Sequence, residues 1–423
     1  MEQDRIILHC DCNSFFASVE MAGNPALRNV PMAVGGSSED RHGIILAKNE
    51  LAKKYHVETA ETLWSARKKC PDLVIVPPHY DEYVRYSHAV NRIYRRYTDQ
   101  VEAFGIDESW LDVTGSERLF GDGLTIAERI RGEVKKEIGI TVSVGVSFNK
   151  VFAKLGSDYK KPDAVTVISR DNYKKIVFPL PVENMLFVGK STAEKLHSYN
   201  IRTIGELAES SRPFLVTRLG KLGGMIHDYA NGRDMSPVAS LSDEEEMPKS
   251  VGNGMTFRRD LVTADEIRVG LISLSEEVAA RLRRHKLCAA GLSVTVKGAD
   301  LKTVSRQKQL KNAADVGRIL AEEAFSLVLQ IWTVGVPVRS LTVTAMELIP
   351  ADAASEQISF FDTTEAHTEK IGKIEKTVDE IRRRYGYFSM IPGAIMDNDI
   401  GIANKKEDKN KRKSMAEDKK EQG

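Results

Sequence analysis

Cysteine is scarce in this chain, and so is any excess of charge. Four cysteines, at positions 10, 12, 70 and 288, are spread through 423 residues, too few and too scattered for a disulfide-stapled secreted fold. Cys10 and Cys12 can be read as half of a metal site, but no second pair stands at ligand spacing, so free buried thiols in a reducing cytoplasm are the expectation. A formal net charge of +1 removes the global signature of a nucleic-acid binder, and any basic face must come from local asymmetry. No uninterrupted apolar span is long enough to cross a bilayer, and the opening Met1-Glu-Gln-Asp-Arg5 is not a secretory signal. What is present is a hydrophobic share of 42% beside 29% charged residues, the balance of a folded protein with a polar surface. The length implies two to four domains.

The stretch Phe104-Gly-Ile-Asp-Glu-Ser-Trp-Leu-Asp-Val-Thr114 sets two adjacent carboxylates, Asp107 and Glu108, between apolar runs. Desolvating such a pair is unfavourable unless something neutralises it. Near the N-terminus the run Ile6-Ile7-Leu8 leads into His9-Cys10-Asp11. If that run is a strand docked beside the first stretch, three carboxylates converge. Such a set suits a pair of Mg²⁺ ions clamping the attacking and leaving oxygens of a phosphoryl transfer.

From Cys12 to Glu20 the chain is expected to turn from loop into helix, its N–H groups beside Asp11 where a triphosphate could be received. Phe15 and Phe16 diverge on such a helix, one toward the core and one toward the site. Residues 26–75 form a small separate unit, with strands at 31–36, 43–47 and 74–76 and helices at 48–55 and 62–69. Lys48, Lys53, Lys54, Arg67, Lys68 and Lys69 make it basic. A solvated face explains most of these charges; one or two reaching a phosphate is the sharper alternative. A helix from His79, the carboxylate stretch as a hairpin, a helix at 122–138, a strand at 140–146, a helix at 148–158 and a strand at 164–168 predict a sheet covered by helices on one face. Lys150, Lys154, Lys160 and Lys161 are candidates to face the same cleft.

Residues 183–235 are helical by pattern. Leu186-Phe-Val-Gly-Lys190, Ala193-Glu-Lys-Leu196 and Ile201-Arg-Thr-Ile-Gly-Glu-Leu207 read as helix, Gly-containing hairpin and helix, a shape able to hold a DNA phosphate through backbone N–H groups. A hairpin used only for packing is the alternative. The polar stretch 236–248, with the acidic run Asp243-Glu-Glu-Glu246, is expected to be a solvated tether. Beyond it a strand (250–258), a helix (264–284) opened by the capping box Thr263-Ala-Asp-Glu266, a hairpin around Gly298-Ala-Asp300, a helix (313–331) and a strand (340–345) make β-α-β-β-α-β. Arg258, Arg259, Lys297, Lys302, Arg306, Lys308 and Lys311 fall on its strands or turns. They form a basic edge suited to a duplex backbone, with a solvated face as the alternative. Gln357-Ile-Ser-Phe-Phe361 has the character of a docking peptide. A short helix at 365–385 follows, with Ile371, Ile374, Val378 and Ile381 on one side, and the Lys/Glu-rich 405–423 predicts disorder.

At these residues the sequence resembles the Y-family of DNA polymerases, specifically the bacterial DinB type. Asp11-Cys-Asn-Ser-Phe-Phe-Ala-Ser-Val-Glu20 is similar to the family's first motif, Ile106-Asp-Glu-Ser-Trp-Leu-Asp112 to its second and Val142-Ser-Val-Gly-Val-Ser-Phe-Asn-Lys-Val-Phe-Ala-Lys-Leu155 to its third. The motifs stand in the right order, and the likeness covers residues 5–350 plus a clamp-type peptide. It implies an α+β multidomain fold: a ferredoxin-like palm (1–25 and 76–166), small fingers (26–75) and a helical thumb with a helix-hairpin-helix (167–235). A linker (236–247), a separate β-α-β-β-α-β little-finger domain that binds DNA (248–350), and a C-terminal part (351–423) with clamp-binding peptide, short helix and disordered tail complete it. The implied activity is template-directed, low-fidelity translesion synthesis in DNA damage tolerance, without a proofreading exonuclease. Its partners would be primer–template DNA, dNTPs and a sliding clamp (the beta clamp), with no membrane; the protein would be a cytoplasmic monomer.

Carried over by motif, Asp11, Asp107 and Glu108 hold two Mg²⁺ ions, with the Cys12 carbonyl as an added ligand. Phe16 falls at the steric gate against a ribose 2′-OH. Phe15, Phe16, Lys53 and Lys161 meet the nucleotide, and Gln357, Ile358, Phe360 and Phe361 meet the clamp. One segment departs from the pattern. Where many relatives read Thr-Ala-Asn-Tyr-x-Ala-Arg, this chain reads Ala47-Lys-Asn-Glu-Leu-Ala-Lys53. The Thr hydroxyl and the Tyr are missing, and Lys53 keeps a charge without an arginine's bidentate fork. Glu50 would repel a triphosphate unless it turns away, and Lys48 is the residue placed to compensate. A nucleotidyl cyclase and a DNA-binding accessory protein with a silent metal site are the competing readings. The cyclase leaves the hairpin, the second basic unit and the clamp-type peptide unexplained, and the intact acidic triad speaks against the accessory protein.

Overall fold

The computed structural model describes residues 4–36, 43–240, 247–353, 365–396 and 398–402. Two compact units divide the chain, the first running to residue 245 and the second onward from 246. The first opens with β1 (Ile7–Cys12), every residue of which is buried, and α1 (Phe15–Gly23). There follow β2 (Met32–Gly35), β3 (Ile45–Lys48), α2 (Glu50–Lys54), α3 (Leu63–Lys69), β4 (Val74–Val76), α4 (Tyr80–Tyr94), β5 (Val101–Ala103) and β6 (Glu108–Asp112). Next come α5 (Glu117–Phe120), α6 (Gly123–Glu133), β7 (Val142–Ser147), α7 (Lys150–Tyr159) and β8 (Val165–Ile168). Five strands form one sheet in the order β5-β6-β1-β7-β8, with β1 antiparallel to both neighbours; β3-β2-β4 form a smaller one.

Strand alternation divides β1 between two faces. Leu8, Cys10 and Cys12 join a core with Tyr83, Val90 and Tyr94 of α4 and Ile126 and Ile130 of α6. Ile7, His9 and Asp11 turn to the opposite face, and α7 lies on that one, where Ala153 packs with Ile7 and Trp110. The expectation of helices on one face is thereby corrected. Glycine is what lets α7 in. A Cβ on Gly145 would stand 1.8 Å from the Ala153 carbonyl oxygen, and one on Gly156 would stand 3.0 Å from the Gly145 Cα, so the helix and β7 meet backbone to backbone.

The far side of α7, through Phe152 and Leu155, belongs to a helical core built with α8 (Tyr173–Val177), α9 (Lys190–Ser198), α10 (Ile204–Glu209), α11 (Arg212–Leu219) and α12 (Lys221–Ala230). Its order differs from the expected helix, hairpin, helix. Ala193 and Leu196 are buried within α9 rather than forming a hairpin. The glycine-bearing turn stands earlier, where Phe187 takes φ 69° and Gly189 caps α9. The link from α9 to α10 turns at Asn200 (φ 60°), a residue whose short amide tolerates that conformation. The expected solvated tether is also corrected over its first residues. Val238 is buried against Ile7, Trp110 and Ala153, the Ala239 N–H donates to Glu102 at 2.9 Å, and Arg5 donates to the Ser236 carbonyl at 2.8 Å.

The second unit comprises β9 (Ser250–Leu261), α13 (Ala264–Arg284), β10 (Leu287–Gly298), β11 (Thr303–Ala314), α14 (Gly317–Val328) and β12 (Val338–Pro350), the β-α-β-β-α-β order read from the sequence. Its sheet runs β11-β10-β12-β9 with antiparallel neighbours throughout. Thr263 and Glu266 close the capping box on α13. Leu292, Val294, Leu341 and Val343 pack beneath the two helices. The other face carries Ser293 and Thr295 beside Thr344 and Thr342, which lie opposite Gly252 and Gly254, with Gln307 and Ser305 on the β11 side. Of the residues expected to form a basic edge, Lys297 shares this open face. Arg306 and Lys308 are register partners of Val294 and Leu292 and turn toward the helices, where Lys308 ion-pairs with Glu323 of α14. Hydroxyls and glycines therefore occupy the middle of the open face.

α15 (Glu365–Tyr385) binds α13 through Arg283, which lies 2.5 Å from Glu375 and 2.6 Å from Asp379, and through Arg382, 2.9 Å from Glu276. Beyond it Ile395, Ile400 and Ile402 enter the core of the unit, and the Arg258 N–H donates to the Ile400 carbonyl at 3.0 Å. The clamp-type peptide 357–361 and the Lys-rich stretch 405–423 lie outside the described residues. Among the described residues, no helix is long and apolar enough to cross a membrane, and the four cysteines are buried free thiols.

Candidate active site

Strand register places the acids. Asp11 on β1 stands directly opposite Glu108 on β6, and residues so paired point to the same face. The Cys12 N–H donates to the Asp107 carbonyl at 3.0 Å, tying the residue before β6 to the end of β1. All three carboxylates line one cleft of about 340 Å³, together with Cys12, Phe15, Phe16, Lys48, Lys53 and Lys161. Asp11, Cys12, Phe15, Phe16, Lys53, Asp107, Glu108 and Lys161 thus meet in one place, contributed by the large sheet and the residue before β6, α1, α2 and the turn after α7, with Lys48 at the end of β3 beside them.

The acids are held differently. Burial pushes the Asp11 carboxyl up to about 6 against the pull of Lys161, whose Nζ lies 2.6 Å from Asp11 Oδ2 and 2.7 Å from Asp158. Asp107 is raised too, by burial and then by the charge of Glu108. Glu108 goes the other way. Burial would raise it, but His9 and Lys154 bring it down to about 2. His9 Nε2 stands 3.2 Å from Glu108 Oε2, and the Lys154 ammonium contacts the same oxygen. His9 is itself fully buried, with Nδ1 2.8 Å from Ser157 Oγ.

His9 is not among the sequence candidates, although its place two residues before Asp11 on a strand sets it on the same face. The lysines after β7 divide. Lys154 and Lys161 reach the acids, whereas Lys150 turns to Glu102 at 2.6 Å and to the face of Trp110, and Lys160 is exposed.

Magnesium takes hard oxygen ligands, and three carboxylates with the Cys12 carbonyl are a donor set of that kind. Among the described residues, no group of three His, Cys, Asp or Glu side chains already stands as a metal site. Asp11 rests on Lys161 and Glu108 on Lys154, so each acid would exchange an ammonium for a metal cation. The donors fit the ion in chemistry, and the site stores the matching positive charge on lysines.

Phe15 is buried, while Phe16 lies flat against Tyr83, ring centroids 4.1 Å apart and planes 11° apart, with Tyr80 edge-on at 5.9 Å. The Tyr83 hydroxyl donates to Glu20 at 2.5 Å, which fixes the backing ring. At the head of α1, Ser14 (φ 47°) makes no side-chain cap bond, so it leaves the first N–H groups of the helix uncapped by its hydroxyl. Lys48 from the end of β3 and Lys53 from α2 reach the cleft. Glu50 turns to Lys53, with Oε1 2.5 Å from Nζ. Asn49 is a structural residue: it accepts from the Ala52 N–H at 2.9 Å to cap α2 and donates to the Val30 carbonyl at 2.8 Å.

Residues 10–158 match the impB/mucB/samB family, and residues 248–360 match the C-terminal domain of that family. The chain is 46% identical over 394 residues to DNA polymerase IV of Acetivibrio thermocellus, covering 93% of this chain and 98% of that one. It is 36% identical over 396 residues to DNA polymerase IV 1 of Bacillus subtilis, covering 93% and 94%. Among solved structures it is similar to a Y-family DNA polymerase chimera, with a TM-score of 0.72 at 23% identity over 82% of this chain and 99% of that one; at that identity the likeness concerns the fold.

Proposed function

The chain belongs to the impB/mucB/samB family and is a Y-family DNA polymerase of the DinB type; from that premise we propose that it performs low-fidelity translesion synthesis on primer–template DNA, without proofreading. The observation that carries this reading is the convergence of Asp11, Asp107 and Glu108 with Phe16 and with Lys48, Lys53 and Lys161 on one cleft. Asp11, Asp107, Glu108 and the Cys12 carbonyl are the groups that would hold two Mg²⁺ ions, whose charge offsets that gathering on the phosphate oxygens. In the reaction the primer 3′-oxygen bonds to the α-phosphorus of the dNTP, the bond to pyrophosphate breaks, and the hydroxyl proton is lost.

The protein's own share is positioning. Lys53 and Lys161 hold the triphosphate as point charges, and the N–H groups at the head of α1, which Ser14 does not cap, are available to the same anion. Phe15 supports the wall of the site, and Phe16, backed by Tyr83, fills the space a ribose 2′-hydroxyl would need. The palm spans 1–25 and 76–166, the fingers 26–75, the thumb 167–235 and the little finger 248–350. The thumb turn at Phe187 and Gly189 and the open face of the second sheet hold DNA backbone. Gln357, Ile358, Phe360 and Phe361 dock on a sliding clamp, raising the effective concentration of primer ends. The protein works as a monomer in the cytoplasm, a setting in which its four free thiols persist.

A labelled primer on an undamaged and on an abasic template, with dNTPs and Mg²⁺, tests this reading. Template-dependent extension on both supports it; a primer that stays unextended overturns it. For the clamp peptide, deletion of 357–361 should leave distributive synthesis intact and remove stimulation by the clamp. Stimulation that survives the deletion places the docking site elsewhere.

A further inference from the structure

Among the described residues, Lys53, Lys154 and Lys161 each rest on a carboxylate at this site: Lys53 on Glu50 at 2.5 Å, Lys161 on Asp11 at 2.6 Å and Lys154 on Glu108. Lys48 has no such partner there. It is the last residue of β3, paired with Ala33 across the small sheet, and its Nζ donates to the Thr59 hydroxyl at 2.9 Å. Burial, then the charge of nearby Lys53, lowers its pKa. Glu58, Glu61 and Glu50 offset part of this from a distance, but among the described residues no carboxylate contacts the ammonium; a partly buried cation lining a cleft without a direct partner is relieved when an anion enters.

The cleft defines the anion. Lys48 shares its walls with Lys53, Lys161 and Phe16, so the ligand must present several negative groups beside an uncharged part that meets an aromatic ring. A nucleoside triphosphate has that form, and a single backbone phosphate does not. We propose that Lys48, steadied by Thr59, is a phosphate-binding residue of this cleft, taking the outer phosphates of the incoming nucleotide. The inference rests on the polymerase reading above. It adds a site of positive charge where Ala47 supplies no hydroxyl and Glu50 offsets Lys53.

The test is single-nucleotide incorporation by the full chain, with Lys48→Ala, Lys48→Arg and, as a control, the exposed Lys54→Ala. Loss of one charge-assisted hydrogen bond should raise KM for the dNTP about tenfold in Lys48→Ala, with kcat and the Kd for primer–template little changed. Lys48→Arg should recover most of the loss, and Lys54→Ala should behave as wild type. In the reverse reaction, KM for pyrophosphate should rise in parallel in Lys48→Ala. Wild-type KM values in Lys48→Ala, beside normal wild-type extension, overturn the inference alone. Weaker DNA binding at an unchanged dNTP KM assigns Lys48 to the DNA backbone and overturns it as well. A wild-type protein that extends no primer overturns instead the reading on which the inference stands.

Discussion

Asp11 and Glu108 are register partners across β1 and β6, yet each rests on a different lysine, Lys161 for the one and Lys154 for the other. Two carboxylates side by side raise one another's pKa. Here the surroundings act unequally: Glu108, with Lys154 and the buried His9 ring against it, is held down to about 2, while burial leaves Asp11 at about 6. The three acids are therefore chemically distinct positions, and their replacement separates roles.

Asp107→Asn and Glu108→Gln keep size and hydrogen bonding while removing charge. Primer extension should fall by at least about a hundredfold in either, the scale on which loss of one preorganised electrostatic group acts. Fluorescence anisotropy should find primer–template affinity largely intact. Normal extension by either variant would falsify the two-metal assignment.

His9 contacts Glu108 without reaching the cleft, so it acts as a positioning residue. His9→Leu should raise the Mg²⁺ concentration for half-maximal extension about tenfold, as loss of a group that orients a metal ligand does. The Mn²⁺ Kd read by electron paramagnetic resonance should weaken in step, and His9→Gln should restore part of both. An unchanged metal dependence in His9→Leu shows that the contact is packing alone.

Phe16→Ala should raise ribonucleotide incorporation relative to dNTPs. Tyr83→Ala should do so to a smaller degree, because a stacked ring pair contributes about 0.5–1.5 kcal/mol to holding the gate in place. Competition assays with paired dNTP and rNTP read both effects. If neither ratio moves, Phe16 is not the gate.

Arg283 is a nearly buried cation between Glu375 and Asp379. Arg283→Ala leaves two carboxylates partly desolvated, and the second unit should lose about 3 kcal/mol in urea denaturation. Arg283→Lys should lose less. An unfolding curve identical to wild type would mean that α15 contributes nothing to the stability of that unit.

The acids were legible because adjacent Asp107 and Glu108 interrupt an apolar alternation, a pattern that a folded chain tolerates only with compensation. The second unit was legible because its strands alternate and Thr263 and Glu266 announce a helix. Other features had no local signal. Nothing in the spacing of Lys150, Lys154, Lys160 and Lys161 says that the second and fourth reach the acids while Lys150 pairs with Glu102; that depends on how closely Gly145 and Gly156 let α7 approach. Val238 looks like part of a polar tether, and its burial is decided by the gap beside Trp110. Ile395, Ile400 and Ile402 sit in a stretch without period or strand pattern, so their place in the core follows from a surface formed much earlier in the chain.

Ile400 also has a consequence for biosynthesis. Its carbonyl receives the Arg258 N–H on the unit's first strand, and with Ile395 and Ile402 it fills a core begun at β9. During translation the second unit cannot close its interior when β12 emerges; it must wait for the residues beyond α15. Until then the apolar surface they cover stays open to water and to chaperones. The first unit has its complete set of strands long before that point, so the ribosome releases a finished acidic cleft ahead of a finished second unit.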